Sequence, residues 1–422
     1  MLKKIILENW KSFRYAEIPI DPLTVLIGTN ASGKSNLIDA LEFLKRIAKG
    51  EEIQAVLAGI RGGVEWAACK PQTQFTLKVL VQGEDDDTEY LYSITVETHP
   101  PVHILATSLD KIKQQPNTEE NPERENLYKA LISPSSFPFL NVEIYSYLNQ
   151  RHQWFYSNSP FLTSVGITPD LIVDSTVTID IPEEIFTANE GCKFIKQTLE
   201  KLFILDPIPS KMRSYSPLSN SLQSDASNIA GVLAALSEEQ KAEVEVIISK
   251  YIKDLPERDI QKVWAETVGR LGSDAMLYCE ELWIPNQPPT LIDARGMSDG
   301  TLRFIAILTA LLTQPKGSQI VIEEVDNGLH PSRSGLLVRM LREIGEQRQI
   351  DILVTTHNPA LLDAFGSEIV PFVVVAHRDS QTGESKLTLL EELENLPKLI
   401  ASASLGKLTT KGAIERSLSD TK

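Results

Sequence analysis

Short runs of alternating apolar and polar residues open the chain, and longer apolar stretches follow them. Alternation predicts strands over Lys3–Leu7 and Ala16–Ile20, and the uninterrupted apolar run Leu23–Ile27 is typical of a buried strand. A glycine-rich turn comes next. From Ser35 to about Ala48, apolar residues recur at helical spacing, so this segment is expected to form a helix.

The sequence pattern changes between about residues 70 and 180, where short Val-, Ile- and Tyr-rich runs alternate with acidic or Pro-containing turns. Antiparallel strands are predicted over Phe75–Val81, Glu89–Glu97 and Asn141–Tyr147. The polar stretch Lys111–Glu125 is expected to be a mobile loop. Helices are predicted over about Glu190–Leu202 and Ser227–Lys253.

After Leu291 the pattern alternates between strands and helices. A helix is predicted after Ser298, then a strand Gln319–Ile322, a helix Pro331–Gln347, a strand Ile350–Val354, a helix Pro359–Phe365 and a strand Val370–Val375. Such alternation favours an α/β fold with a mostly parallel sheet flanked by helices. The strand-rich middle adds an antiparallel β lobe, and a helical insertion follows it.

These patterns divide the chain into four predicted segments. They are an N-terminal part with the β lobe (1–180), a helical insertion (181–290), a C-terminal lobe (291–376) and a tail (377–422).

Composition and charge exclude some classes of protein. The 422 residues carry 41 Lys and Arg against 57 Asp and Glu, a net charge of −16, which argues against a protein that coats nucleic acid through bulk charge. Only three cysteines are present, without paired spacing, so neither a disulfide scaffold nor a zinc ribbon is expected. The sequence suggests no signal peptide or membrane span, and a cytoplasmic location is predicted.

The eight residues from Gly28 to Ser35 fit the pattern G-x-x-x-x-G-K-[ST] between a predicted strand and helix. Glycines let backbone N–H groups surround phosphate oxygens, Lys34 would neutralise the β and γ phosphates, and the Ser35 hydroxyl would reach Mg²⁺. Strand and helix on either side are the context in which this pattern binds nucleotide phosphates. We therefore predict a P-loop.

Three further groups are weak signals when each is taken alone. Glu323 and Glu324 end an apolar strand, and such acids suit Mg²⁺ binding and activation of a water molecule in a P-loop enzyme. His357 follows another apolar strand and could contact a γ-phosphate. The turn Ser298–Arg303 opens a helix whose N–H groups could bind phosphate. Intervals of 25 and 34 residues separate Ser298, Glu323 and His357.

In this order and spacing, the motifs resemble the ATPase head of ATP-binding-cassette proteins, and specifically its RecF, SMC and OLD branch. Residues 6–13, Ile-Leu-Glu-Asn-Trp-Lys-Ser-Phe, are similar to the first strand and turn of that branch. Residues 28–36 and 323–331 are close to its G-x-N-x-x-G-K-S-N and Glu-Glu-Pro-Glu-x-x-Leu-His-Pro motifs. The likeness is specific over residues 1–50 and about 290–376.

The resemblance implies an ATP hydrolase whose heads dimerise around two ATP molecules with Mg²⁺. It implies phosphate or nucleotide contacts by Gly28, Asn30, Ser32, Gly33, Lys34, Ser35 and Asn36, and by Ser298 and Gly300 from the partner head. Ser35 and Glu323 would bind the metal, while Glu324, His357 and Lys34 would be catalytic, with Glu324 as general base. Asp326 would lie in a turn that contacts the partner. Lys11 and Arg14 are either nucleotide contacts or solvated charges.

Some features depart from the family pattern or are missing from it. Val325 and Asp326 replace the usual Pro-Glu, and Asp299 stands where transporter heads carry Gly. The glutamine of the family's Q-loop could be Gln54, Gln72 or Gln74. Neither a long coiled coil nor a TOPRIM nuclease signature is present, so the chain resembles a stand-alone head that works beside a separate effector, such as a nuclease in phage defence.

Other functions stay open at the level of sequence. ATP could hold a scaffold that stores an effector with little turnover, or the chain could be a RecF-like DNA-repair ATPase. A small-molecule kinase is least favoured, because the signature turn and His357 would then have no role. Lys211 and Arg213, in the Pro-rich segment 206–213, could contact DNA or a partner, although a simple connection between lobes is the alternative.

Overall fold

The computed structural model describes residues 1–83, 85–113, 123–131, 140–146, 151–157, 183–255, 259–283 and 287–420. The chain forms two compact units. Unit 1 consists of Met1–Ile20, Asn30–Leu202 and Ala376–Thr388, and unit 2 consists of Asp21–Thr29, Phe203–Val375 and Leu389–Lys422.

The described residues form the following strands and helices. The strands are β1 (Leu2–Trp10), β2 (Phe13–Pro19), β3 (Leu23–Ile27), β4 (Gln74–Gln82), β5 (Thr88–Glu97), β6 (His103–Lys113), β7 (Glu123–Leu131), β8 (Leu140–Ser146), β9 (Arg151–Ser157), β10 (Leu202–Leu205), β11 (Ser216–Pro217), β12 (Ile260–Val268), β13 (Asp274–Glu281), β14 (Thr290–Asp293), β15 (Gln319–Ile322), β16 (Asp351–Thr355), β17 (Val373–Arg378) and β18 (Ser385–Leu389). The α-helices are α1 (Lys34–Ala48), α2 (Ile53–Gly59), α3 (Glu183–Glu200), α4 (Pro209–Met212), α5 (Ile229–Ala235), α6 (Glu238–Lys253), α7 (Asp299–Thr313), α8 (Ser334–Arg348), α9 (Pro359–Phe365), α10 (Leu396–Ser402), α11 (Leu405–Thr410) and α12 (Ala413–Asp420).

Unit 1 is built on a six-stranded sheet with the order β2-β1-β4-β5-β6-β7, in which each neighbouring pair of strands is antiparallel. Alternate side chains of β4 are buried, as expected for a sheet with one covered face. Trp10, Phe75 and Phe43 of α1 form an aromatic core, in which the Trp10 and Phe75 ring centroids are 4.7 Å apart in an edge-on arrangement. This core fixes the position of α1 in the unit.

A further sheet has the strand order β10-β15-β16-β3-β17-β18. Its strands β15, β16 and β3 lie wholly in unit 2. Strands β15, β16, β3 and β17 run parallel, and β15 and β16 are buried at every position. Helix α7 is buried along most of its length, which explains why it is apolar on nearly all sides. A second sheet, β11-β13-β12 with β14 paired to β13, belongs to the same unit.

The predicted α/β class is confirmed, with a parallel sheet, an antiparallel β lobe and an inserted region that contains helices. Strands Leu23–Ile27 and Gln319–Ile322 and helix Pro359–Phe365 have the predicted bounds. Each of these segments is short and apolar and has a clear boundary signal in the sequence. Gly28 follows the first strand, two glutamates follow the second, and Pro359 begins the helix. The helix after Ser298 also forms as expected.

Two predicted helices in the inserted region were wrong in extent. The first ends at Glu200, and Leu202 instead begins β10, because the run Leu202–Leu205 is buried beside β15. The predicted helix Ser227–Lys253 is two helices, α5 and α6. Ser237 separates them, because its hydroxyl caps α6 by accepting a hydrogen bond from Gln240 N.

Further corrections concern strands. The run Val370–Val375 begins as a 3₁₀ turn that contains Pro371, and the strand starts only at Val373. The two ends of the expected loop Lys111–Glu125 belong to β6 and β7, while residues 114–122 and Tyr147 lie outside the described residues. Strands β12 and β13 occupy a region for which helices alone were expected. Within the described part of the chain, no helix has the length and apolar character needed to cross a membrane.

Candidate functional site

The glycine loop (residues 28–35) joins β3 to α1. Its backbone uses the left-handed region at Ala31 and at Gly33, where φ is +115°. A Cβ atom on Gly33 would lie 2.8 Å from both Phe13 Cζ and Ser385 Oγ, so both conformation and space require glycine there. The first residues of α1, Lys34 and Ser35, follow directly, which puts their N–H groups at a helix N-terminus.

Ser32 gives this loop an unusual internal feature. Its side chain is almost fully buried, and its hydroxyl oxygen has no hydrogen-bond partner among the residues that the structure describes. A buried polar group without a partner is costly, so such a group in a loop of this shape fits a phosphate oxygen as its partner. Gly28 is buried and Asn30 is exposed at the start of the loop. The loop therefore fits the phosphates of a nucleotide.

Asn36, a predicted nucleotide contact, faces the β1–β2 turn. Its side-chain amide donates to Ser12 Oγ at 2.7 Å, and its backbone carbonyl oxygen accepts a hydrogen bond from Trp10 Nε1 at 2.7 Å. These bonds tie the start of α1 to the aromatic core. A direct role of Asn36 in nucleotide binding stays a prediction.

Charged side chains also surround the start of α1 in unit 1. The side chain of Lys11 is buried and donates hydrogen bonds to Asp39 and, at 2.6 Å, to the backbone carbonyl oxygen of Arg61. Burial lowers the pKa of Lys11, and the hydrogen bond to Asp39 partly offsets this effect. The alternative of a solvated charge was therefore wrong for Lys11. Arg14, in contrast, is exposed and pairs with Glu384 at 2.6 Å.

Two arginines near the glycine loop were not found from the sequence. Arg61 pairs with Asp39 at 3.0 Å, and Arg378 donates from Nε to the Ala31 carbonyl oxygen at 2.9 Å. Arg378 lies 347 residues from Ala31 in the chain, so no local pattern could have indicated this contact. Gln54, Gln72 and Gln74, the three candidate Q-loop residues, are all exposed.

In unit 2, three parallel strands end at one edge of the sheet. Register pairs join Ile322 to Val354 and Thr355 to Leu26, so β15, β16 and β3 finish side by side. This arrangement puts Gly28, Glu323 and Thr356 at the carboxyl ends of neighbouring strands. In open parallel sheets, this edge is where ligands bind.

Glu324 is held in an uncommon conformation at this edge. Its φ of +47° lies in the left-handed region, which costs a non-glycine residue about 1 kcal/mol or more. The Glu324 N–H donates to Thr355 Oγ1 at 2.7 Å, and the Asn327 amide donates to the Glu324 carboxylate at 3.2 Å. Glu323 N donates to the carbonyl oxygen of Leu205 at 3.3 Å. Both glutamates are half-buried, and each is fixed through its backbone.

A buried hydrogen bond connects the turn after Glu324 to the segment that carries His357. Thr356 Oγ1 donates to Asp326 Oδ1 at 2.6 Å, and it accepts a hydrogen bond from Asn358 N at 3.0 Å. Asp326 is thus buried within its own chain, and Asn327 and Gly328 are exposed residues of the turn. His357 is exposed beside it.

The signature turn (residues 298–301) caps α7. Ser298 Oγ accepts a hydrogen bond from Thr301 N at 3.1 Å, while Gly300 packs closely against the turn after the acidic strand. A Cβ atom on Gly300 would lie 2.7 Å from the Gly328 carbonyl oxygen and 3.0 Å from Arg333 Nη1. Ser298 itself is exposed. The structure thus leaves Ser298 exposed and requires glycine two residues later.

Bound Mg²⁺ would depend on few protein ligands. Among the described residues, no group of three or more His, Cys, Asp or Glu side chains could hold a metal ion. A magnesium ion in a P-loop site commonly has one hydroxyl and one acidic ligand, with nucleotide phosphates and water completing its shell. Ser35 and Glu323 have the chemistry for those two positions.

Comparisons with known proteins agree with this arrangement. Residues 1–156 match the family described as "AAA ATPase domain", and residues 284–363 match the one described as "AAA domain, putative AbiEii toxin, Type IV TA system". No curated protein matched the chain.

Solved SMC heads are similar in structure. An SMC head bound to the C-winged helix domain of ScpA has a TM-score of 0.51 and 13% identity, with 92% of this chain and 96% of that chain covered. The SMC head domain from Thermotoga maritima has a TM-score of 0.43 and 14% identity over 92% and 98% of the two chains. An SMC head domain with an extended coiled coil, bound to the C-terminal domain of ScpA from Pyrococcus furiosus, has a TM-score of 0.47 and 13% identity. The match covers 95% of this chain and 99% of that chain.

The first of these structures and the two family matches agree with the glycine loop and the acidic strand end. This chain has the fold of an ATPase head of the ABC and SMC-like kind.

Proposed function

We propose that the protein binds and hydrolyses ATP. The observation that carries this proposal is the shared sheet edge in unit 2, where the glycine loop begins and where Glu323, Glu324 and Thr356 follow neighbouring strands. Enzymes with a P-loop that transfer a phosphoryl group to water combine this loop with an acidic side chain for Mg²⁺ and a residue that orients the water molecule.

Each residue has a defined role in the proposed reaction. Lys34 and the N–H groups of the glycine loop bind and neutralise the β and γ phosphates, and Ser32 Oγ gains a phosphate partner. Glu324 accepts a proton from the water molecule that attacks the γ-phosphate in line. Its backbone contact to Thr355 and its side-chain contact to Asn327 fix the direction in which the carboxylate points.

The remaining predicted residues have roles near the metal and the γ-phosphate. When bound, Mg²⁺ supplies positive charge at the phosphates, and Ser35 and Glu323 would hold it. His357 is exposed on the segment that Thr356 anchors, where its ring could donate a hydrogen bond to the γ-phosphate.

The position of the signature turn supports the proposal of a dimer of two heads. Ser298 and Asp299 are exposed at the start of a 15-residue helix, so this end of α7 is accessible to a second molecule. We propose that this turn completes the ATP site of a partner head. Asn327 and Gly328 would join the same contact, because they are the exposed residues of the turn that packs against Gly300.

The partner controlled by this cycle is proposed to be a separately encoded protein effector. The description of one matched family names an AbiEii toxin of a Type IV toxin–antitoxin system. One similar SMC head is bound to the C-winged helix domain of ScpA. Because this chain carries a net charge of −16, a basic protein fits its surface better than nucleic acid does.

Nucleotide binding and dimer formation test the proposal together. Lys34→Ala is expected to abolish ATP binding in calorimetry, whereas Glu324→Gln should bind ATP and elute as a dimer in size-exclusion chromatography with light scattering. Lys250→Ala, a charge change in α6, is the matched control and should behave as wild type. An ATP-loaded Glu324→Gln protein that stays monomeric would remove the two-head proposal, and ATP binding by Lys34→Ala would remove the phosphate-binding role.

A further inference from the structure

The Pro-rich segment 206–213 has no role in the proposed reaction, yet it approaches the signature turn within unit 2. Arg213, which follows the short helix α4, donates from Nη2 to the Met297 carbonyl oxygen at 2.7 Å. The same nitrogen pairs with Asp299 Oδ1 at 2.8 Å. Arg213 thus contacts the residues on both sides of Ser298.

These two contacts constrain the backbone of the signature turn. A guanidinium group is planar and always charged, and its donors have a fixed arrangement, so it can hold two acceptors at a set distance. Met297 is buried and Asp299 is the first residue of α7. These contacts hold the residues on either side of Ser298, whose hydroxyl accepts a hydrogen bond from Thr301 N.

The other end of the same segment reaches the acidic strand end. Glu323 N donates to the carbonyl oxygen of Leu205, the last residue of β10, and the chain runs from there directly into 206–213. Hydrogen bonds from Asp206 N to Ser224 O at 2.8 Å and from Ile208 N to Asp225 O at 3.0 Å hold the segment along its length. One short, well-fixed segment therefore connects Glu323 to the signature turn.

We propose that Arg213 is a positioning residue that holds the signature turn ready to complete the partner's ATP site. This inference rests on the proposed function, because the signature turn contacts ATP only when two heads form a dimer around it. Arg213 acts through Met297 and Asp299. It serves the site of the partner protomer and not the glycine loop of its own chain.

Single variants give the first test. Arg213→Ala should lower kcat at least about tenfold while the Kd for ATP stays within about twofold, since the protomer's own phosphate loop is unchanged. Arg213→Lys should be intermediate, because an ammonium group is a single point charge. Lys211→Ala is the matched control, since Lys211 is exposed and pairs with Asp225 at 3.0 Å, and it should keep the wild-type rate. A melting temperature within about 3 °C of wild type shows that each variant is folded.

Mixing variants separates a role in the partner's site from a general structural role. Lys34→Ala has an intact signature turn but no working phosphate loop. Arg213→Ala has an intact phosphate loop but a signature turn that is not held in place. A dimer of one with the other contains one complete site, so the mixture should recover about a quarter of the wild-type rate if sites turn over independently. Ser298→Arg mixed with Lys34→Ala provides the reference, because its defect lies in the signature turn itself.

The outcomes distinguish this proposal from the function on which it rests. Recovery in both mixtures supports the role of Arg213. Recovery with Ser298→Arg but not with Arg213→Ala overturns it, because Arg213 would then be needed in its own protomer. Recovery in neither mixture removes the shared two-head site, and the role of Arg213 with it.

Discussion

The hydrogen bond between Thr356 and Asp326 offers the sharpest test of how the site is held together. Thr356 is fully buried, its hydroxyl donates to the nearly buried Asp326 carboxylate at 2.6 Å, and Asn358 N donates to the same hydroxyl at 3.0 Å. Valine has almost the same shape as threonine but has no hydroxyl. Thr356→Val therefore removes both bonds with little change in packing.

The expected loss of stability follows from the groups left without partners. A hydrogen bond to a charged group contributes about 1.5–3 kcal/mol, and a buried amide N–H without a partner costs about 1–3 kcal/mol. Because Asn358 is only half-buried, water can replace part of its lost bond. We expect Thr356→Val to lower the free energy of unfolding by about 2–4 kcal/mol, a large part of a typical total of about 5–15 kcal/mol.

Urea denaturation followed by circular dichroism measures this difference. Thr356→Ser is the matched control, because it keeps the hydroxyl and loses only a methyl group, worth about 1 kcal/mol. ATPase activity should fall with Thr356→Val at a temperature where the protein is folded, since His357 follows the anchored residue. A Thr356→Val protein as stable as Thr356→Ser would refute the assigned hydrogen bond.

Two further predictions concern the glycine loop and a surface turn. Gly33→Ala should abolish ATP binding in calorimetry, because the new methyl group would lie 2.8 Å from Phe13 at a residue whose φ is +115°. Gly335 has open space around it, so the control Gly335→Ala should bind ATP with wild-type affinity. Wild-type affinity in Gly33→Ala would contradict the geometry of the loop. The pKa of Asp379 is held below its usual value of 3.8, chiefly by the hydrogen bond from Lys386, so the stabilisation is present above about pH 4 and is lost as pH falls through the folded-state pKa. NMR titration of the Asp379 carboxyl should show this lowered pKa and its return toward 3.8 in Lys386→Ala, and a normal pKa in wild type would contradict the contact.

Local patterns predicted the elements that carry the main motifs. Strands β3 and β15 are short apolar runs buried on both faces, and their ends are marked by Gly28 and by Glu323. Helix α9 begins at a proline after the capping residue Asn358. In such segments the sequence neighbours alone determine where the element stops.

Other features depend on contacts between distant parts of the chain. Nothing near Ala31 in sequence indicates that Arg378 holds its carbonyl oxygen. The burial of Lys11 depends on Asp39, and the role inferred for Arg213 depends on a turn more than eighty residues away. These side chains resemble ordinary surface charges until the fold brings their partners close.

The central claim is that the chain hydrolyses ATP with Glu324 as the general base, and the steady-state kcat of Glu324→Gln tests it most directly. Loss of a general base lowers the rate by about 10²–10⁴-fold, and the Kd for ATP should stay within about twofold of wild type because the glycine loop is untouched. A Glu324→Gln protein that binds ATP and hydrolyses it at the wild-type rate would contradict the account.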